Sequence, residues 1–287
     1  MYNSDGSKLY DYYNGGGKLS TEVSVISTGT TTTTYDTATG NKLTEYTANV
    51  DGSAENKTYT GGVLTKDNIV HKDGATDAYV YQITGQSYTS THQAYDAGGN
   101  VTLIERLHAD GSYDYLEKHN TDGSKDISNY SSTGAILNHT LVKADGSRAV
   151  DYYSQDGTGD VRTDTTDTSG NLTMREYTHT SGAHEVYAYA DNLKLDGGTG
   201  NDAFYFRTTN GGTVTYQGGN DTIYSFNTDT SAGTDKIAIS SSLAASFNDL
   251  HMAQQGTDVL ITLDSHDTIL IKGSTVANLH SDYFMFS

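Results

Sequence analysis

The sequence predicts an all-β chain: an elongated array of antiparallel hairpins over residues 1–190, a meander or a solenoid, followed by a different C-terminal segment over 191–287. Glycine turn signals recur at a regular interval, tyrosines recur at a period of two between them, and the aromatic type changes near residue 191. The turn signals run from Asp5-Gly6 and Gly15-Gly16 through Asp51-Gly52, Asp73-Gly74, Asp110-Gly111, Asp122-Gly123 and Asp145-Gly146 to Ser181-Gly182. Their spacing of roughly 10 to 13 residues leaves about eight for each strand. Asp-Gly is a strong hairpin signal because both central residues of a tight turn can take positive φ. The pattern leaves no room for a helix of more than two turns between residues 20 and 190.

Within the strands, Tyr79/Tyr81, Tyr113/Tyr115 and Tyr187/Tyr189 are each two residues apart, which predicts that each pair shares one face of a sheet. Leu, Ile and Val are too sparse in this region for a thick sandwich core. Rows of Tyr and Thr stabilise a sheet through cross-strand pairs worth roughly 0.2–1 kcal/mol each, so a thin sheet is expected. Beyond residue 191 all 6 Phe appear and most of the tyrosines are already past.

Composition narrows the function classes. The chain has no Cys, Pro or Trp, so disulfides and thiolate metal sites are excluded, and extra stability has to come from packing or from hard cations held by oxygen. The formal net charge of -19 disfavours nucleic acid and anionic membranes and favours divalent cations, neutral ligands, or acidic ligands bridged by calcium. No run of about 18 apolar residues is present, and residues 1–20 lack the charged start and apolar core of a signal peptide. A soluble fragment, or export by a C-terminal signal, is the expectation.

Segments such as Tyr35-Asp36-Thr37-Ala38-Thr39-Gly40-Asn41 and Tyr95-Asp96-Ala97-Gly98-Gly99-Asn100 resemble the tyrosine-aspartate repeats of bacterial surface and toxin shells. In the C-terminal part, Gly197-Gly198-Thr199-Gly200-Asn201-Asp202-Ala203-Phe204 and Gly218-Gly219-Asn220-Asp221-Thr222-Ile223 resemble the nonapeptide repeats of RTX proteins. Asp235-Lys236-Ile237, Asp258-Val259-Leu260, Asp267-Thr268-Ile269 and Asp282-Tyr283-Phe284 follow in the order of that family's terminal unit. The resemblance covers about 90 residues and implies a short parallel β-roll or β-sandwich cap that binds Ca2+ and carries a type I secretion signal. It further implies one ion held by the Asp202 and Asp221 carboxylates with backbone carbonyls of Gly197, Thr199 and Gly219. The second turn departs from the pattern by lacking its opening glycines.

Other chemistry is thin. The histidine pairs His108/His119 and His179/His184 have neither helical spacing nor the Glu partner of a zinc protease, and solvated strand histidines are expected. No nucleophile elbow, P-loop or dinucleotide fingerprint is present. Asp126 and Asp151, or Glu176 and Glu185, are the acid pairs a glycosidase reading would use, and Arg106, His108 and Tyr113 those a polysaccharide lyase would use. The leading expectation is a secreted, extracellular, monomeric and non-catalytic module. Its hairpin array contacts an extracellular polysaccharide or cell-surface glycan through Tyr113, Tyr115, Tyr187 and Tyr189, and its cap serves folding and export. The alternative is a polysaccharide-active lyase or hydrolase domain with the same cap.

Overall fold

A computed structural model describes residues 6–206, 208–210, 213–215, 219–228 and 234–287; Tyr216, Gln217, Gly218 and Gly233 of the repeat-like turns lie outside these. The described residues are almost entirely strand and turn, with only three short 3-10 segments, at Phe247–Asp249, Val276–Asn278 and Ser281–Tyr283. Among the described residues no helix is long and apolar enough to cross a membrane, which says nothing about a β-barrel. Internal contacts divide the chain into two units, Met1–Ile136 and Leu137–Ser287.

The first unit is a meander of β1 (Lys8–Tyr13), β2 (Leu19–Ile26), β3 (Gly29–Tyr35), β4 (Lys42–Asn49), β5 (Ala54–Thr60), β6 (Val63–Val70), β7 (Thr76–Val80), β8 (Ser90–Tyr95), β9 (Val101–Leu107), β10 (Tyr113–His119) and β11 (Lys125–Tyr130). Each strand pairs antiparallel with the next. The turn chemistry differs from the sequence expectation in one respect. At Asn49-Val50-Asp51-Gly52-Ser53 only the glycine has positive φ, at 91°. The Gly52 N–H donates to the Asn49 carbonyl at 3.1 Å and the Asn49 N–H to the Ser53 carbonyl at 2.9 Å. This is a type I turn closed by a left-handed glycine, a three-residue loop. The aspartate keeps negative φ because a Cβ is penalised in the left-handed region, and its carboxylate accepts the Ser53 N–H at 3.0 Å. Both central residues take positive φ at Gly61-Gly62 instead.

No apolar side chain of the first unit is buried among the described residues; Thr33, Asp67 and Ser124 are the buried side chains there. Cross-strand contacts replace a core. Thr31 and Thr47 hydroxyls bond at 2.9 Å and those of Thr34 and Thr44 at 2.7 Å. A row of directly opposed residues, Glu45, Lys57, Asp67, Tyr79, His92 and Glu105, crosses six strands on one face.

The second unit begins as the same kind of meander, with β12 (Ile136–Val142), β13 (Arg148–Tyr153), β14 (Val161–Thr166), β15 (Leu172–Thr178) and β16 (His184–Ala188). It continues with β17 (Lys194–Asp196), β18 (Ala203–Phe206), β19 (Thr208–Asn210), β20 (Thr213–Thr215), β21 (Asn220–Tyr224), β22 (Lys236–Ile239), β23 (His251–Gln255), β24 (Asp258–Thr262), β25 (Thr268–Ile271) and β26 (Phe284–Phe286). After β16 the pairing turns parallel: β16, β18, β22 and β26 extend the meander sheet. The strands β17, β21 and β25 form a second parallel sheet, to which β24 and β23 add antiparallel. The chain changes sheet from β16 to β17, from β17 to β18, from β21 to β22, from β22 to β23 and from β25 to β26.

The alternating patterns Phe204-Tyr205-Phe206, Ile237-Ala238-Ile239 and Ile269-Leu270-Ile271 send every second side chain inward. Val186, Phe204, Phe206, Ile237 and Ile239 of the first sheet form one cluster with Leu195, Ile223, Val259, Ile261, Ile269 and Ile271 of the second. Each is at most 1% exposed. Burial of such side chains is worth about 1.5–3 kcal/mol apiece, so the apolar stabilisation of the described chain is concentrated here.

Candidate functional site

Cross-strand register places Arg175, Tyr177, Glu185 and Tyr187 on one face of β15 and β16, with Tyr177 opposite Glu185 and Arg175 opposite Tyr187. With His179 and Tyr189 they line an open groove of about 390 Å³. The reverse of β16 and β18 is the buried core, so this face is outward and stiffly backed. Tyr187 stacks on Tyr205 with ring centroids 4.5 Å apart and planes 6° from parallel, and Tyr177 meets Tyr187 edge-on at 6.0 Å. Strand spacing sets the first distance, since Tyr187 and Tyr205 are directly opposed on β16 and β18.

The polar groups of the groove are held by partners. The Arg175 guanidinium grips Asp164 through Nε at 2.6 Å and Nη2 at 2.8 Å, which raises its pKa further. His179 Nδ1 lies 2.9 Å from Asp160, and the Tyr187 hydroxyl donates to Glu185 at 3.0 Å. Such an arrangement offers aromatic edges and faces beside carboxylates and imidazole that are already oriented, which suits hydroxyl-rich ligands. Tyr187 and Tyr189 are thus brought together as the period-two spacing predicts. The sequence singles out His179 and Glu185 only in other pairings and does not point to Arg175, Tyr177 and Tyr205, because only the register of β15 and β18 against β16 brings these residues together.

Tyr113 and Tyr115 are not brought together. Tyr113 stands opposite Leu107 and Tyr115 opposite Arg106, with a register shift between them. Adjacent residues of β9 point to opposite faces, so this bulge sends the two rings to opposite sides of the sheet, where a regular strand would keep them on one. Tyr113 donates to Glu105 at 3.1 Å. Tyr115 lies under the Arg106 guanidinium at 4.7 Å and donates to Glu117; burial, then that carboxylate, push its phenol up to about 12.

The lyase candidates separate in the same way. Arg106 is sandwiched between Tyr88 and Tyr115 on the face away from Tyr113, and His108 Nδ1 is 2.8 Å from the Ser87 carbonyl. Of the histidine pairs, His119 is engaged with Glu117 at 2.7 Å and His184 with Glu176. Glu176 and Glu185 occupy opposite faces, since Glu176 is opposed by Val186 and Tyr177 by Glu185.

Asp202 and Asp221 are each 1% exposed. Asp202 immediately precedes β18 of the first sheet, and its Oδ1 accepts the His184 N–H at 2.8 Å. Asp221 lies in β21 of the second sheet, and its Oδ1 accepts the Leu193 N–H at 2.8 Å. The remaining oxygen of each, Oδ2, is buried without a hydrogen-bond partner. Burial, first, raises both carboxyls to about 6.

The two carboxylates therefore cap different sheets. Each has its own acidic neighbour, Asp235 for Asp202 and Asp191 for Asp221. The same device recurs at two positions that lack the paired glycines. Asp235 accepts the Asp202 N–H at 3.0 Å and Asp267 accepts the Gly219 N–H at 2.6 Å. The common signal is Asp-x-apolar at the start of each inward strand.

The glycines of the first turn allow this stacking. A Cβ on Gly197 would sit 2.5 Å from Asp202 Oδ2, and one on Gly200, whose φ is 147°, would sit 2.2 Å from the Gly182 carbonyl oxygen. The Gly219 carbonyl already accepts the Thr268 N–H at 2.7 Å. Among the described residues no three His, Asp or Glu side chains converge as a metal-binding cluster, so a cation here would depend on at most two carboxylates and on carbonyls.

No family model and no curated protein matches the sequence. Among solved structures, a chain in "Crystal Structure of TcdB2-TccC3-Cdc42" is similar at 11% identity over 60% of this chain, with a TM-score of 0.14. The present chain spans about 14% of the length of the chain it matches there.

Proposed function

We propose that the chain is a secreted, non-catalytic carbohydrate-binding module whose binding face is the outward side of β15, β16 and β18. The observation that carries this reading is the groove in which Tyr177, Tyr187 and Tyr189 stand beside Arg175, His179 and Glu185. Sugars pack their C–H faces on aromatic rings and hydrogen-bond through their hydroxyls, so a groove of this composition on a stiff sheet suits them. The cap is proposed to bind Ca2+ and to be the exported, late-folding part of the chain. In support, Asp202 Oδ2 and Asp221 Oδ2 are hard anionic oxygens with no other partner. Because the two aspartates cap different sheets, the reading becomes two separate half-sites, with Gly197 beside Asp202.

The test is retention on neutral and acidic bacterial and algal polysaccharides, with and without Ca2+, monitored also for new reducing or unsaturated ends. The expected result is retention without cleavage, weakened about tenfold by Tyr187→Ala while the folded signal is unchanged. New chain ends would replace this reading with a lyase or hydrolase.

A further inference from the structure

The groove is one part of a longer row on the same face, and the row runs across the strands. In β13 to β15, Tyr152 is directly opposed to Arg162, and Arg162 to Tyr177. The Arg162 guanidinium lies 4.1 Å from the Tyr152 ring centroid. In β15 to β18, Arg175 is opposed to Tyr187, and Tyr187 to Tyr205. The two rungs join at the edge-on contact of Tyr177 with Tyr187, 6.0 Å apart. A strip of rings and guanidinium groups therefore crosses β13, β14, β15, β16 and β18.

Neighbouring strands are about 4.8 Å apart, so four gaps span about 19 Å. Within a strand, by contrast, side chains on one face recur only every 6.6 Å or so. One pyranose of an extended, equatorially linked chain is about as long as one strand gap. A polysaccharide laid across the strands would thus meet one side chain of the row per sugar unit, while one laid along a strand would fall out of step. Arg175 and Arg162 both meet Asp164, at 2.6 and 3.5 Å, and His179 meets Asp160 at 2.9 Å; with Glu185 the carboxylates of this face outnumber its guanidinium groups, so it carries no net positive charge to neutralise a polyuronate. The chain's net charge of -19 adds repulsion.

We propose, resting on the carbohydrate reading above, that the ligand is a neutral, extended polysaccharide bound perpendicular to the strands, covering about four sugar units from Tyr152 to Tyr205. Tyr152 lies beyond the groove itself and is 39% exposed, so it serves long ligands only.

The test is titration calorimetry of the full chain with cello-, xylo- and chito-oligosaccharides of one to six units and with a hexameric oligouronate. In at least one neutral series, affinity should climb to about four units and then level off, and the oligouronate should bind about tenfold more weakly or not at all. Tyr152→Ala should weaken the hexamer about tenfold and leave the disaccharide unchanged, and Tyr152→Leu, which keeps apolar bulk without the ring, should do the same. Equal affinity for dimer and hexamer, an equal effect of Tyr152→Ala on both, or preference for the oligouronate would overturn the cross-strand proposal while leaving a carbohydrate site standing. If no sugar binds in any series or on the polysaccharide panel, the carbohydrate reading falls and this inference with it.

Discussion

Replacing Asp202 by Asn should stabilise the ion-free second unit at neutral pH. The Asp202 carboxyl is raised by burial from 3.8 to about 6. A tenfold change in a protonation equilibrium corresponds to about 1.4 kcal/mol, so keeping this group ionised in the folded chain costs about 3 kcal/mol at pH 7.5. The folded state holds the proton more tightly than the unfolded state does. Stability is therefore highest below about pH 4, falls as pH rises from about 4 to 6, and is flat above.

Asparagine keeps the acceptor for the His184 N–H and removes the charge, but it introduces an NH2 beside Gly197 that has to find a partner, a debit of about 1–2 kcal/mol. The net expectation is a gain of about 1–2 kcal/mol at pH 7.5 that disappears at pH 4. With Ca2+ present the order should reverse, because the ion stabilises only the parent, by about 2.7 kcal/mol at a hundredfold excess over Kd. The assay is hydrogen exchange of the segment spanning Val186 to Phe206, in chelator and in Ca2+, at both pH values; a segment readout avoids treating two units as one transition. Faster exchange of Asp202→Asn in chelator at pH 7.5 would refute the reasoning.

Two further expectations concern stability alone. His92 is flanked at 2.8 Å on both ring nitrogens by Asp77 and Glu105; burial opposes its charge, but the two carboxylates outweigh it and hold its pKa above the ordinary value. That stabilisation is full below about pH 6.5 and is lost as pH rises through the raised pKa, so His92→Gln should destabilise the first unit more at pH 5.5 than at pH 9 in denaturant titrations; an equal loss at both would show a neutral imidazole. Gly200→Ala should cost about 3 kcal/mol or more because its Cβ collides with the Gly182 carbonyl, whereas Gly198→Ala, left-handed but in open space, should cost about 1 kcal/mol, and equal melting temperatures for the two would contradict the stacked turns.

What is legible in the sequence is what is decided within a few residues. Gly52, Gly74, Gly99 and Gly123 mark their turns correctly because only glycine takes the left-handed bulge position cheaply, and that requirement is local. The inward alternation of β18, β22 and β25 is equally readable. What the sequence hides is decided by register between strands. The bulge that parts Tyr113 from Tyr115 arises where β10 is fitted against β9, and no residue of β10 announces it. The spacing of Asp202 and Asp221 suggests a pair. The chain crosses from the first sheet to the second between them, with the hairpin of β19 and β20 on the way, so each meets a different neighbour. Asp235 carries the same Asp-x-apolar signal as Asp202, but nothing in the sequence shows that its carboxylate accepts the Asp202 N–H.

The lack of buried apolar side chains among the described residues of the first unit sets how its stability responds to temperature. The heat capacity of unfolding comes mainly from exposing apolar surface, typically about 12–15 cal/mol/K per residue for a domain with an ordinary core. A sheet held by hydroxyl pairs such as Thr31 with Thr47, by ion pairs such as Lys57 with Glu55 at 2.7 Å and by ring stacks such as Tyr79 on His92 at 4.2 Å exposes far less of it. Its free-energy curve is correspondingly flat, with little weakening in the cold. The second unit, which carries the Phe and Ile cluster, has the steeper dome, so the two halves of the chain respond differently to the same change of temperature.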